Sequence, residues 1–385
     1  PKPVKQFKVI GTRPLRPDGI EKVTGKAIYG ADLSAPNMLY GLMLRINEPH
    51  ALIESIDISI AEKLPGVKSI ITFKDFIKIN PDNKYNETLE NCIANEKVLY
   101  DGHAVAAVAA VDLNTAKKAI KSINVKFKKL PFVINIEDAM KKEAPLVAKG
   151  KKNENIPDGF SDNVVQYCSF GHGNLEQGFN ESDKVIKRTF KTPSVHQGYI
   201  EPHACLASMS DDGKADLWCC TQGHYNVRSI CSNIFKIDNS QLKVTASEIG
   251  GGFGGKTTVF IEPIALALSQ KSGRPVKIVM SREEVFKATG PTVSSLVDVK
   301  IGMKKNGKIS AAKAIIRYEG GAFPNETYEL GAQSAFAAYD LKSVKTEAYN
   351  VLTNRPAQAA YRAPGAPQAI YAVESVIDEL CQFFN

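Results

Sequence analysis

The chain contains no apolar run approaching the roughly 18 residues of a membrane-spanning helix. Its cysteines number seven, at positions 92, 168, 205, 219, 220, 231 and 381. An odd count without a repeated spacing argues against a disulfide framework. The absence of C-x-x-C and C-x₄-C excludes a Cys₄ zinc site and an iron–sulfur cluster held by this chain, so cluster chemistry would have to come from another one. Most of the cysteines read as small buried hydrophobes. No internal repeat is visible. The opening residues are not expected to act as a signal peptide, and a soluble cytoplasmic protein is expected. The net charge of +8 is spread over many lysines, and the Lys-rich stretches at 117–129 and 141–152 read as solvated faces rather than a nucleic-acid surface.

What is present is an ordinary globular composition, 43% hydrophobic and 23% charged over 385 residues, enough for two or three domains with real cores. Over residues 1–145 short helices and strands alternate, with strands at 38–46, 67–72 and 105–111, a helix over 115–123 capped by Asn114 or Thr115, and a strand over 124–127. Residues 146–163 are polar and punctuated by Pro and Gly, as a linker draped over the surface would be. From 164 to 385 strand-like runs recur with helices between them, at 224–235, 259–271 and 369–384. The fold class is therefore α+β: an α/β domain followed by a mixed α+β domain.

Three motifs in the second region carry chemistry. The first, Ile249-Gly-Gly-Gly-Phe-Gly-Gly-Lys256-Thr257, lies between a predicted strand and a predicted helix. Backbone without Cβ atoms can take positive φ and aim N–H groups at an anion or oxo group, with the helix dipole adding to the effect. Gly250 to Thr257 also fits the phosphate-loop pattern G-x-x-x-x-G-K-[ST]. A P-loop nucleotide hydrolase is thus one reading, weakened because some 240 residues precede the loop and Leu296-Val-Asp298 is a poor second motif. The second motif is Thr221-Gln-Gly-His224, in which Gln222 offers an amide donor and acceptor. The third is Tyr361-Arg-Ala-Pro-Gly-Ala-Pro-Gln368, a rigid turn presenting the five-donor fork of Arg362. His196-Gln-Gly-Tyr-Ile-Glu-Pro-His203 reads as a polar network beneath the loop, with a metal site the weaker alternative.

Together and in this order, the three motifs resemble the molybdenum-binding subunit of the xanthine dehydrogenase/aldehyde oxidase family of molybdenum hydroxylases, over a span from about residue 8 to the end. The resemblance implies an N-terminal hammerhead domain, whose opening signature is similar to residues 8–32, followed by the first molybdopterin-binding domain. It implies that Gln222, Gly252, Phe253, Gly254, Gly255, Arg362 and Ala363 bind the cofactor, with Phe253 and Gly254 offering backbone amides. Glu201, Thr257 and Pro364 would line the channel or support the site, and no side chain would ligate the metal directly. The implied cofactor is molybdopterin with molybdenum, in its cytosine dinucleotide form in a bacterial enzyme. The implied reaction is oxidative hydroxylation of an aldehyde or N-heteroaromatic carbon with oxygen from water. Electrons would leave through 2Fe-2S clusters on an iron–sulfur subunit to FAD on a third chain. A ring reductase acting on an aryl thioester shares these motifs and is the alternative within the family.

The departures from the family pattern are also informative. Ala363 stands where the carbon monoxide-oxidising branch has a cysteine, Thr257 where purine-oxidising members have a glutamate, and Pro364 where they have an aromatic. The family's catalytic glutamate lies in a late G-x-G-E segment, and none is found here. A split subunit whose second half carries the base is the expectation, a fragment the other option. In either case the chain alone is expected to be catalytically incomplete, with the base on a partner chain.

Overall fold

The computed structural model describes residues 7–80, 83–148 and 156–384. The first part of the chain runs α1 (Gly19–Val23), β1 (Leu39–Ile46), β2 (Ala51–Asp57), α2 (Ser59–Glu62), β3 (Val67–Thr72), α3 (Phe73–Ile79) and α4 (Asn86–Cys92). It continues with β4 (Lys97–Val98), β5 (His103–Ala110), α5 (Leu113–Ser122), β6 (Asn124–Lys129) and α6 (Ile136–Ala139). The second part opens with β7 (Val164–His172), α7 (Leu175–Asn180), β8 (Lys184–Thr192), β9 (Ala204–Met209), β10 (Ala215–Cys219), α8 (His224–Ile234) and β11 (Leu242–Ala246). It closes with α9 (Glu262–Ser272), β12 (Val276–Val279), α10 (Arg282–Ala288), β13 (Ser295–Met303), β14 (Ile309–Gly321), α11 (Thr327–Ser334), β15 (Val344–Leu352) and α12 (Ala366–Phe384).

The mixed α+β class is as expected, and the strands assemble into three sheets. A seven-stranded sheet has the order β11-β10-β9-β12-β1-β5-β3, a five-stranded sheet the order β7-β15-β14-β13-β8, and a three-stranded sheet the order β4-β2-β6. The seven-stranded sheet takes strands from both parts of the chain, because β12 pairs in parallel with β1 (Leu39 opposite Val276). Gly41 permits that join, since a Cβ there would lie 2.5 Å from Ile278. α9 is apolar almost all round, and eight of its residues are buried beneath this sheet, as a helix without a solvated face must be. The five-stranded sheet has its own core, with Val297, Val299, Ile301 and Ile316 packed against Ala372, Val373 and Val376 of α12.

Two local expectations are corrected. α5 is capped by Asp112, whose carboxylate accepts from the Thr115 amide, and not by Asn114 or Thr115; the helix starts earlier because aspartate fills that role well. The linker is not simply draped over the surface. Residues 149–155 lie outside the described residues, yet Val147 and Asn163 on either side are fully buried. The Asn163 amide holds the flanks together, accepting from the Val147 N–H at 3.0 Å and donating to the Ala139 and Pro145 carbonyls.

Candidate functional site

β11 runs parallel to β10 and carries the chain into the glycine loop. Along that loop Gly251, Phe253 and Gly254 all take positive φ, at 94°, 53° and 103°. For Phe253 this is strained backbone of the kind concentrated at functional positions. Gly254 is glycine for two reasons, its φ and the Ala360 carbonyl oxygen 2.6 Å from where a Cβ would sit. The Gln222 side chain lies across the loop: its Oε1 accepts from the Gly254 N–H at 2.9 Å and the Lys256 N–H at 3.3 Å. Its own backbone N–H donates to the Lys256 carbonyl at 2.8 Å. From the other side, the Arg362 N–H donates to the Phe253 carbonyl at 2.9 Å. Arg362 and Ala363 again have positive φ, 21° and 63°. Segments roughly 30 and 110 positions from the loop in sequence thus converge on it.

Gln222, Phe253, Thr257, Arg362 and Ala363 are exposed on one rim, with Gly252 and Gly255 buried behind and Pro364 half-buried. Thr257 closes the loop, its hydroxyl donating to the Gly254 carbonyl at 3.0 Å. The expected pair of free amides is revised. The Gly254 amide is taken by Gln222, whereas the amides of Gly251, Gly252 and Phe253 make no hydrogen bond among the described residues. The Arg362 guanidinium forms no ion pair among them either, and Gln222 keeps its Nε2 donor. The rim is therefore a surface of donors with nothing among the described residues to receive them, which fits an anionic group rich in oxygen or sulfur acceptors.

Glu201 and Lys256 lie beneath the rim. The Lys256 ammonium is fully buried, 2.8 Å from Glu201 Oε2 and above the Tyr199 ring. The same carboxylate accepts from the Gly250 N–H at 2.8 Å and, through Oε1, from the Gly30 N–H at 3.1 Å. Glu201 is thus a support clamping three segments, not a residue open to a channel. This arrangement overturns the nucleotide-hydrolase reading: a phosphate-binding lysine must reach out of its loop, and this one points inward to a carboxylate. The proposed second motif fails as well, because Leu296-Val-Asp298 lies in β13, antiparallel between β8 and β14. The helix that follows the loop in sequence does not start at it. α9 begins five residues after Thr257, and the carboxylate of its first residue, the buried Glu262, accepts the N–H groups of Phe260 and Ile261.

The histidine segment forms the expected polar network. Tyr199 Oη shares hydrogen bonds with His203 Nε2 (2.7 Å) and Thr289 Oγ1 (3.2 Å), and His196 Nε2 meets the same threonine at 2.9 Å. Burial drives His203 down to about 3 and His196 to about 4, with the Arg282 charge adding to the second shift. Both rings are neutral, and no group of metal-ligating side chains is found among the described residues. Sequence reasoning missed the parts of Gly30 and Ala360. Gly30 falls within residues 8–32, similar to the family's opening signature, but its contact partner lies 171 positions away.

Comparison with known proteins assigns both parts of the chain to known domains. Residues 156–385 match the molybdopterin cofactor-binding domain, and residues 24–131 match the aldehyde oxidase and xanthine dehydrogenase a/b hammerhead domain. One chain of a probable xanthine dehydrogenase of Bacillus subtilis is 32% identical over 95% of this chain, which spans 48% of that protein. The nicotinate dehydrogenase large molybdopterin subunit of Eubacterium barkeri is 27% identical over 98% of this chain and is spanned to 87%. Among solved structures, the aldehyde oxidoreductase of Desulfovibrio gigas superposes with a TM-score of 0.86 at 27% identity, covering 96% of this chain and 41% of that one. The chain therefore spans about half the length of most of these relatives. With the cofactor-binding domain matched over more than half its residues, the chain belongs to the xanthine dehydrogenase/aldehyde oxidase family of molybdopterin-binding proteins.

Proposed function

We propose that this chain is the first half of the molybdenum subunit of a molybdopterin-dependent hydroxylase, active only with partner chains. Residues 1–145 would be the hammerhead part, 146–163 the connection and 164–385 the first cofactor-binding part. The observation that carries the reading is the convergence of Gln222, the Gly252–Gly255 loop and Arg362 on one donor-rich rim. When bound, the molybdenum cofactor would supply a Lewis-acidic, two-electron acceptor for oxidative hydroxylation with oxygen from water. This chain's residues would hold and orient it. The Phe253 amide and Gln222 Nε2 would donate to an oxo-type oxygen, Arg362 would balance anionic charge, and the Phe253 ring would exclude water. Glu201 has both oxygens engaged, so the base would come from the second half of the subunit.

The cofactor form is proposed as the cytosine dinucleotide, with 2Fe-2S and FAD subunits carrying electrons away. The substrate is an aldehyde or N-heteroaromatic compound; the relative spanned almost throughout is named for nicotinate, which favours the heteroaromatic class. The test is to purify the native complex and measure molybdenum, pterin and released cytosine nucleotide per copy of this chain. One of each is expected. Absence of molybdenum and pterin would falsify the proposal.

A further inference from the structure

The segment ahead of β1 is shaped but uncovered. Thr12 N–H donates to the Val9 carbonyl, Arg16 pairs with Asp18 at 2.5 Å, and Lys22 bridges Asp18 at 3.0 Å and Glu248 at 2.5 Å. Yet α1 buries no residue, and Val9, Ile10, Leu15, Ile20, Val23 and Ile28 are each between 58% and 92% exposed. Six large apolar side chains within one short segment amount to on the order of several hundred Å² of apolar surface. Summed, that is comparable with the ~300–600 Å² of the largest apolar patch on an ordinary monomer, and exposed apolar surface on this scale marks interaction sites. A disordered tail would not be ion-paired into one shape, and a core-packing segment would not leave these six in water.

The segment's anchorage indicates what covers it. Glu248, which receives Lys22 and whose N–H donates to the Ile28 carbonyl, stands two residues before Gly250. Gly30, at the segment's inner end, is held by the same Glu201 that clamps the loop. The apolar segment is therefore anchored at the base of the loop that carries the donor-rich rim. Lys8, Arg13 and Lys26 form no ion pair among the described residues and give the segment a basic border.

We propose that residues 9–28 form the docking surface for the second half of the molybdenum subunit, which would meet them with an apolar face bordered by acidic side chains. This rests on the split-subunit reading above and adds where the halves join. The test uses the native complex, compared with this chain alone, by amide hydrogen exchange and by lysine cross-linking from Lys8 and Lys26, with molybdenum and pterin measured on the same sample. At least tenfold slower exchange over 9–28, with cross-links to the second half, is expected. Leu15→Asp and Val23→Asp should each lower recovery of the second half at least tenfold while leaving this chain's melting temperature unchanged, whereas Ile60→Asp, outside the segment, should not. A complex that carries the cofactor but leaves 9–28 unprotected, or cross-links them to the iron–sulfur chain or to a second copy, overturns the docking alone. A complex without molybdenum or pterin overturns the functional reading and this inference with it.

Discussion

At the scale of single residues, the most informative position is Lys256. A buried ammonium paired with a buried carboxylate contributes little net stability as a pair, but removing one partner strands the other charge. Lys256→Met is accordingly expected to cost about 3–5 kcal/mol, read from denaturant midpoints. Lys256→Met with Glu201→Leu should recover part of that loss; strict additivity of the two would contradict the pairing. Gln222→Ala should behave in the opposite way. It frees amides at an exposed rim where water can replace the lost acceptor, so stability should change by no more than about 1 kcal/mol. Molybdenum content of the purified complex should fall sharply all the same. Gly254→Ala combines both effects, because φ of 103° and the Ala360 carbonyl at 2.6 Å leave no room for a methyl group without moving the arginine turn. Low metal content together with ~1–3 kcal/mol of destabilisation is expected, and a variant that loads normally would argue against the convergence of loop and turn.

At the scale of elements, local pattern predicted far more than partner choice. The strand-like runs of both parts and the helix over 259–271 were legible, since side-chain period and burial are local properties. The phosphate-loop pattern at Gly250–Thr257 was equally legible and misleading. It specifies a backbone rich in amides but says nothing about where the lysine side chain points, which is settled by Glu201 reaching in from a different segment. The pairing of β12 with β1 was likewise invisible, because a strand's neighbour depends on which edge remains open once the rest of the sheet has formed. It has a consequence for unfolding. Since β12 inserts between β9 and β1, disrupting either part exposes the edge of the other. Calorimetry should show no separate low-temperature transition for residues 1–145, and Gly41→Val, which collides with Ile278, should lower the melting of both parts together.

For the whole molecule, the buried histidines set a pH dependence. His103 is held neutral by burial, down to about 4, and His203 to about 3. In the unfolded chain each would titrate near 6.5, so between that value and the folded one the unfolded state binds more protons. The contribution of each is complete above about pH 6.5 and is lost progressively as pH falls toward about 4 and about 3, at up to ~1.4 kcal/mol per pH unit per histidine. Denaturant midpoints at pH 7, 5.5 and 4.5 should decline in that order, and His203→Gln should flatten part of the decline. A stability independent of pH over this range would mean that these rings are not buried as described.

The amino-acid sequence alone determined the α+β class, the positions of most strands, and three motifs rich in glycine, proline and amide donors. All of these are set by short-range periodicity and backbone freedom. Only the tertiary structure decided that the Gly254 amide goes to Gln222, that Lys256 turns inward, and that Gly30 belongs to the site at all. Each of these depends on which distant group occupies the space a missing Cβ leaves open, and chain order carries no record of that distance.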